Sequence, residues 1–227
     1  MRLTILGATG RIGGHLLSWA LEAGHPVHAL ARSPEALDTA ARDWAAQGPG
    51  APEPGARGLA AGLAVTRGDA LDAAAVAEAI AGADAVLSAL GPRGAKTPGL
   101  LAGAASNIVA AMQKTGARRL ICVSAAGAFI TEDPHAGLLT KMILPRVFAG
   151  TFADVRRMED VVRGSDLGWT LVRATRLVNG PLTGRYRVAP DNKPRGGGKI
   201  SRADVAHFMA AALTEDGWLR SAPALAY

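Results

Sequence analysis

The sequence predicts an α/β protein built on a doubly wound parallel sheet, in three layers with helices on both faces. Three observations predict it. Short apolar runs alternate with longer helix-patterned stretches, the arrangement of successive βαβ units. The apolar runs are nearly continuous, as in "RLICVS", which suits strands buried on both faces. A glycine-rich turn, "LGATGRIGGHLL" at residues 6–17, joins the first strand to the first helix.

Taken in order, strands are expected over residues 3–6, 27–31, 63–66, 85–88, 120–124 and 170–173, with a short one at 224–227. Helices are expected over 12–23, 34–46, 73–81, 100–115, 152–163 and 202–214. Gly24 and Gly116 follow helical stretches in the position where a glycine closes the last turn. Ser201 precedes "RADVAHFMAAAL" as an N-cap, with Asp204 three residues on where a capping box has Glu or Gln. Two segments break the alternation. Residues 47–62 are rich in Pro and Gly without periodicity and read as a flexible insertion. Residues 179–199 form a long irregular stretch after the sixth strand, on the side where open α/β sheets bind ligands. The whole chain, 1–227, reads as one domain.

Composition narrows the function classes. Of 227 residues 49 % are hydrophobic and 19 % charged, a globular balance with enough apolar residues for a sizeable core. The single cysteine, Cys122, excludes an intrachain disulfide and a cysteine-rich metal site, and fits a reducing cytoplasm. No secretory leader and no transmembrane run is expected, which points to a cytoplasmic protein without a membrane partner. The net charge of +6 is dispersed and lacks aromatic interleaving, so nucleic acid is not the expected partner either. A small-molecule substrate is, with the protein a monomer or a small homo-oligomer.

Gly7-x-x-Gly10-x-x-Gly13 follows a strand and opens a helix, the context a dinucleotide-phosphate cradle requires. Gly7 permits the sharp turn, Gly10 lets the backbone approach a pyrophosphate, and Gly13 lets the helix pack on the sheet. Thr9, Arg11 and Ile12 complete the turn, whose free amides favour an anion. This makes the expected fold a Rossmann-type doubly wound parallel sheet, three-layer α/β/α.

The end of the second strand selects the cofactor. A carboxylate there would bind the ribose 2′-hydroxyl of NAD(H) and repel a 2′-phosphate. The chain instead has Arg32-Ser33, a guanidinium fork and a hydroxyl suited to a phosphomonoester. Arg11 adds a second positive group. The expected cofactor is NADP(H) in preference to NAD(H). The plainer alternative makes Arg32 a solvated loop residue and Ser33 the cap of the "PEAL" helix.

Together "GATGRIGGHLL", "ARSPEAL", "VTRGDALD", "DAVLSALG", "RRLICVSAAGA", "WTLVRATRLVNGPLTGRYRV" and "ISRADVAHFM" resemble the atypical short-chain dehydrogenase/reductase superfamily. The nearest branch is the NAD(P)H-binding, NmrA-like group that includes biliverdin-IXβ/flavin reductases. The resemblance implies that Gly68-Asp69 with Ala70 reaches the adenine, and that Ala89-Leu90-Gly91 lies along the adenosine ribose. It also implies that the segment with Thr175 and Arg176 borders the nicotinamide. Members of the superfamily use a Ser followed by Tyr-x-x-x-Lys, the Tyr as general acid/base and the Lys to tune it. Ser124 stands where that serine belongs. The spacing puts the Tyr position on Gly137 and the Lys position on Lys141, so the phenol is missing and Lys141 is a relic or a coincidence. The tyrosines of the chain, Tyr186 and Tyr227, lie far along it.

Without that phenol, alcohol–ketone interconversion lacks its proton relay. Hydride transfer to a conjugated acceptor, a flavin, quinone or tetrapyrrole, demands less, because charge delocalises over the acceptor and solvent can supply the proton. The expectation is an NADPH-dependent reductase, with Ser124 binding the substrate or the nicotinamide carboxamide, or merely capping the loop after its strand. Alternatives are an NADP(H)-sensing regulator of the NmrA type and a nicotinamide-dependent isomerase or dehydratase. His25 and His28 have no Cys or carboxylate partner at metal spacing, so no metal is expected. His135, near the expected mouth, reads as a proton donor or a solvated loop residue, and His207 as a helix residue with its own partner.

Overall fold

The computed structural model describes residues 1–37, 62–91, 98–190 and 193–227. Most of the helix expected over 34–46, nearly all of the insertion at 47–62 and two positions of the 179–199 loop lie outside the described residues.

An eight-stranded sheet forms the middle layer, in the order β3-β2-β1-β4-β5-β6-β10-β8. Its strands are β1 (Leu3–Leu6), β2 (Val27–Ala31), β3 (Leu63–Arg67), β4 (Ala85–Ser88), β5 (Arg119–Ala125), β6 (Gly168–Ala174), β8 (Arg187–Ala189) and β10 (Ala224–Ala226). All neighbours pair in parallel except β8, which runs antiparallel to β10. Two further strands, β7 (Arg176–Val178) and β9 (Lys199–Ser201), pair in parallel as a separate ribbon. The run 3-2-1-4-5-6 reverses direction between β1 and β4, and such a switch point opens a crevice at the carboxyl ends of the strands.

The near-continuous apolar strands are buried on both sides, as parallel sheets require. One face packs against α2 (Ala73–Ile80), α3 (Leu100–Thr115) and α5 (Ala149–Arg163), through residues such as Val76, Ile108, Met158 and Leu171. The other packs against α1 (Arg11–Glu22) and α6 (Arg202–Ala211), through Leu16, Leu17, Val205 and Met209. Strand alternation sorts β5 between these cores: Leu120 and Cys122 face the first, Ile121 the second. Cys122 is buried, and burial pushes its thiol up to about 12, so it is inert as a nucleophile.

Helix ends are closed by side chains from elsewhere as well as by local signals. Gly24 and Gly116 adopt φ of +75° and +82°, as the expected terminating glycines should. Ser201 caps α6 by accepting the Asp204 amide at 3.0 Å. Gly99 begins α3 without a side chain, and the Asp154 carboxylate of α5 accepts from Leu101 and Ala102 in its place.

The structure adds one helix that the sequence reading lacked, α4 (Leu138–Val147). None of its residues is buried, and Leu138, Leu139, Met142, Ile143 and Val147 are all exposed. No helix among the described residues is long and apolar enough to cross a membrane.

Candidate functional site

A groove opens at the switch point. Gly7, Thr9 and Gly10 line it from the turn after β1, and Arg32 from the end of β2. Asp69 and Ala70 contribute from beyond β3, and Ala89, Leu90 and Gly91 from beyond β4. The fold thus brings these nine expected residues, from four strand ends, to one place. Ile12 and Gly13, in the first turn of α1, do not line it and are both buried.

The turn can be built only with glycine at two of its positions. Gly7 has φ +82°, and a Cβ on it would sit 2.8 Å from the Ala89 carbonyl oxygen. That close approach of the β1 and β4 ends shapes the floor of the groove. A Cβ on Gly13 would lie 2.0 Å from the Gly7 oxygen, so only glycine lets the helix start this near the turn. Gly10 is the N-cap of α1 and supplies no side-chain hydrogen bond, while the first turn of α1 carries no acid. The positive end of the helix is therefore left for an anion. A diphosphate fits this cradle: the backbone is unobstructed by Cβ atoms and the local charge has the right sign.

Arg32 stands at the wall of the groove, with its Nη1 3.9 Å from Asp69 Oδ2 and both side chains substantially exposed. A screened pair of that length is worth about 0–1 kcal/mol, so it does not commit the guanidinium. Asp69 also accepts the Leu71 amide at 2.9 Å, which fixes the turn it belongs to. Ser33 is exposed beside Arg32, and its carbonyl accepts from the Ala36 amide at the start of a helical turn.

Arg11, although it belongs to the glycine turn, points elsewhere. Its Nη1 donates to Asn179 Oδ1 at 3.1 Å, just beyond β7. Arg202 Nη1 donates to the same oxygen at 2.8 Å. Thr175 gives its hydroxyl to the Leu225 carbonyl at 2.9 Å, and Arg176 is exposed at the start of β7.

Ser124 follows Leu120 and Cys122 onto the α3/α5 face, where its hydroxyl donates to Glu159 Oε1 at 2.6 Å. Glu159 is 1 % exposed and sits in the core-facing stripe of α5 with Val155, Met158 and Val162. A carboxylate buried there needs cationic partners. Arg173 of β6 grips it through two nitrogens, at 3.0 and 2.7 Å, and Arg163 reaches it at 3.3 Å. The Arg173 guanidinium in turn lies 3.5 Å over the Phe129 ring. Lys141 lies partly exposed on α4 and does not line the groove.

Both tyrosines have structural partners. Tyr227 donates to Asp204 Oδ2 at 2.5 Å. Tyr186 hydrogen-bonds His207 Nδ1 at 2.8 Å, and burial with the Asp204 and Glu215 charges pushes its phenol up to about 12.

Asp204, fully buried, organises the loop that begins at Asn179. It accepts from the Thr183 amide and hydroxyl, the Gly184 amide, the Ser201 hydroxyl and Tyr227. Burial raises its proton affinity, but these donors outweigh that and hold its pKa below the ordinary value. Sequence reasoning placed Asp204 in a cap but missed this role, and it missed Glu159, Asn179 and Arg202 altogether.

Comparison with known proteins gives the family and the fold. A family model described as NAD(P)H-binding matches residues 52–216. Among solved structures, a Burkholderia pseudomallei protein described as a candidate exported protein is 26 % identical, with TM-score 0.76 and 100 % of each chain covered. The anaerobillin reductase ChuY of Escherichia coli O157:H7 is 21 % identical, with TM-score 0.76, covering 100 % of this chain and 97 % of that one. A wide-type short-chain dehydrogenase/reductase of Veillonella parvula, solved in complex with NADP, is 23 % identical, with TM-score 0.72, covering 100 % and 94 %. At these identities the ChuY and Veillonella likenesses establish the fold.

Proposed function

This chain belongs to the NAD(P)H-binding family, and from that premise we propose that it is an NADP(H)-dependent reductase of flat, conjugated small molecules of the flavin, quinone or tetrapyrrole kind. The observation that carries the reading is a pairing of presences. A glycine cradle with Arg32 on its wall accompanies a β5 mouth where the serine hydroxyl is already given to a buried carboxylate.

The cofactor supplies a hydride when bound; the chain's residues bind and orient. Gly7, Thr9, Gly10, Arg11, Ile12 and Gly13 hold the diphosphate side through backbone amides and the α1 N-terminus. Arg32 and Ser33 take the 2′-phosphate as a charge-assisted contact, which selects NADP(H) over NAD(H). Asp69 and Ala70 border the adenine, and Ala89, Leu90 and Gly91 the adenosine ribose. Thr175 and Arg176 border the nicotinamide. Ser124, its proton held by Glu159, retains oxygen lone pairs and so accepts from a carboxamide instead of protonating a carbonyl. An acceptor that delocalises charge and takes its proton from water needs no phenol. The fold shared with ChuY, an anaerobillin reductase, and with the Veillonella structure solved with NADP lends this reading an analogy.

Gly137 at the Tyr position of the Tyr-x-x-x-Lys spacing also favours a second reading, an NADP(H)-sensing regulator. Turnover separates the two. NADPH oxidation followed at 340 nm with FMN, menadione and biliverdin should exceed the protein-free rate for at least one acceptor. Tight NADPH binding with no acceleration across the panel would leave the sensor.

A further inference from the structure

Two cations meet on one neutral oxygen at the substrate-side edge of the sheet. Arg11 is the first residue of α1 and Arg202 the first residue of α6, helices that pack on the same face. Their Nη1 atoms converge on Asn179 Oδ1 from 3.1 and 2.8 Å. Among the described residues no carboxylate lies within ion-pair distance of either guanidinium. Holding like charges together on an amide is unfavourable, and burial with the nearby Arg11 charge makes Arg202 give up its proton more readily. The arrangement is nonetheless well braced. Asn179 begins the loop that Asp204 pins through the Thr183 and Gly184 amides.

Position distinguishes this pair from the nucleotide groove. The groove is lined from the ends of β1 to β4, and neither Arg11, Asn179 nor Arg202 lines it. Asn179 lies beyond β7, which directly follows β6, on the opposite half of the sheet from Arg32 and Asp69. Two guanidinium forks with an amide between them match an oxyanion that can take several hydrogen bonds at once.

We propose that Arg11, Asn179 and Arg202 form a binding site for an oxyanion, carboxylate or phosphate monoester, carried by the acceptor. The substrate is then an acidic conjugated molecule, its ring system directed by its anionic arm. This rests on the reductase reading only in calling the ligand an acceptor.

Binding, measured without turnover, tests it. Protein saturated with NADP⁺ is titrated with two matched pairs: FMN against riboflavin, and biliverdin against its dimethyl ester. The acid of at least one pair should bind tenfold or more tightly than its neutral counterpart. A preference in the FMN pair identifies phosphate, and one in the biliverdin pair identifies carboxylate. Arg202→Gln should abolish the preference while leaving NADPH affinity within twofold, and Arg202→Lys should retain part of it. Equal binding of acid and neutral forms in both pairs, or a preference surviving in Arg202→Gln, overturns the site. Equal tenfold losses for NADPH and NADH in Arg202→Gln would assign the pair to the cofactor's diphosphate and overturn the acceptor assignment. An acid preference without catalytic turnover would sink the reductase reading and leave the site standing.

Discussion

The Ser124 hydroxyl donates to Glu159 Oε1 at 2.6 Å, between a β5 strand end and a buried carboxylate that Arg173 also holds. Its proton is committed inward, which separates this serine from one that donates to a reacting carbonyl. Ser124→Ala is therefore expected to lower kcat less than fivefold and to destabilise by about 1.5–3 kcal/mol, since one hydrogen bond to a buried charge is lost. Glu159→Ala should cost about 3–5 kcal/mol, because it leaves the buried Arg173 guanidinium without its carboxylate. Steady-state kinetics beside chemical denaturation check both. A hundredfold loss of kcat in folded Ser124→Ala would show that the hydroxyl touches the reacting atoms.

Glycines of the groove should respond unequally to one added methyl group. At Gly13 a Cβ would lie 2.0 Å from backbone oxygen that cannot move aside, whereas at Gly91 it would meet nothing within 4 Å. Gly13→Ala is expected to displace the start of α1 and abolish cofactor binding. Gly91→Ala should keep wild-type thermal stability. Fluorescence titration with NADPH and a melting curve on each variant decide it.

Acid should loosen the loop that begins at Asn179 before it unfolds the protein. Asp204 has a folded pKa below its unfolded one, so its contribution is fully present above the unfolded value, about 3.9, and is lost as pH falls through the folded value. Asp204→Asn should flatten the fall in melting temperature between about pH 5 and pH 2. At neutral pH the same variant is expected to be roughly 2–3 kcal/mol less stable, having lost charge-assisted bonds from buried donors. Hydrogen exchange at the Thr183 and Gly184 amides, rising in the variant, locates the effect in the loop.

Much of this was legible in the chain because burial leaves a pattern. Strands such as "RLICVS" and the helices facing the two cores carry apolar periodicity, and Gly24 and Gly116 mark their ends by the positive φ they adopt. The α4 helix left no such trace, for its apolar residues face outward and Pro145 interrupts its last turns. The β7, β8 and β9 strands span three residues each, too short for an alternation to register. Of the nine groove residues, Gly7, Thr9, Gly10 and Arg32 could be named from the turn and strand ends they occupy, and Asp69, Ala70, Ala89, Leu90 and Gly91 only through the family resemblance. The Arg11–Asn179 and Arg202–Asn179 contacts could not, since they join positions 168 and 23 residues apart with no motif to announce them. Glu159 did leave a signal: a carboxylate in the stripe of Val155, Met158 and Val162 must have a buried cation for a partner.

The central claim is that Arg32 makes this groove an NADP(H) site. Dissociation constants for NADPH and NADH, measured by nucleotide fluorescence on the wild type and on Arg32→Ala, test it most directly. Loss of a charge-assisted phosphate contact worth about 1.5–3 kcal/mol should weaken NADPH by roughly 10- to 100-fold and NADH by less than twofold. Equal weakening of both nucleotides, or no change in either, would contradict it.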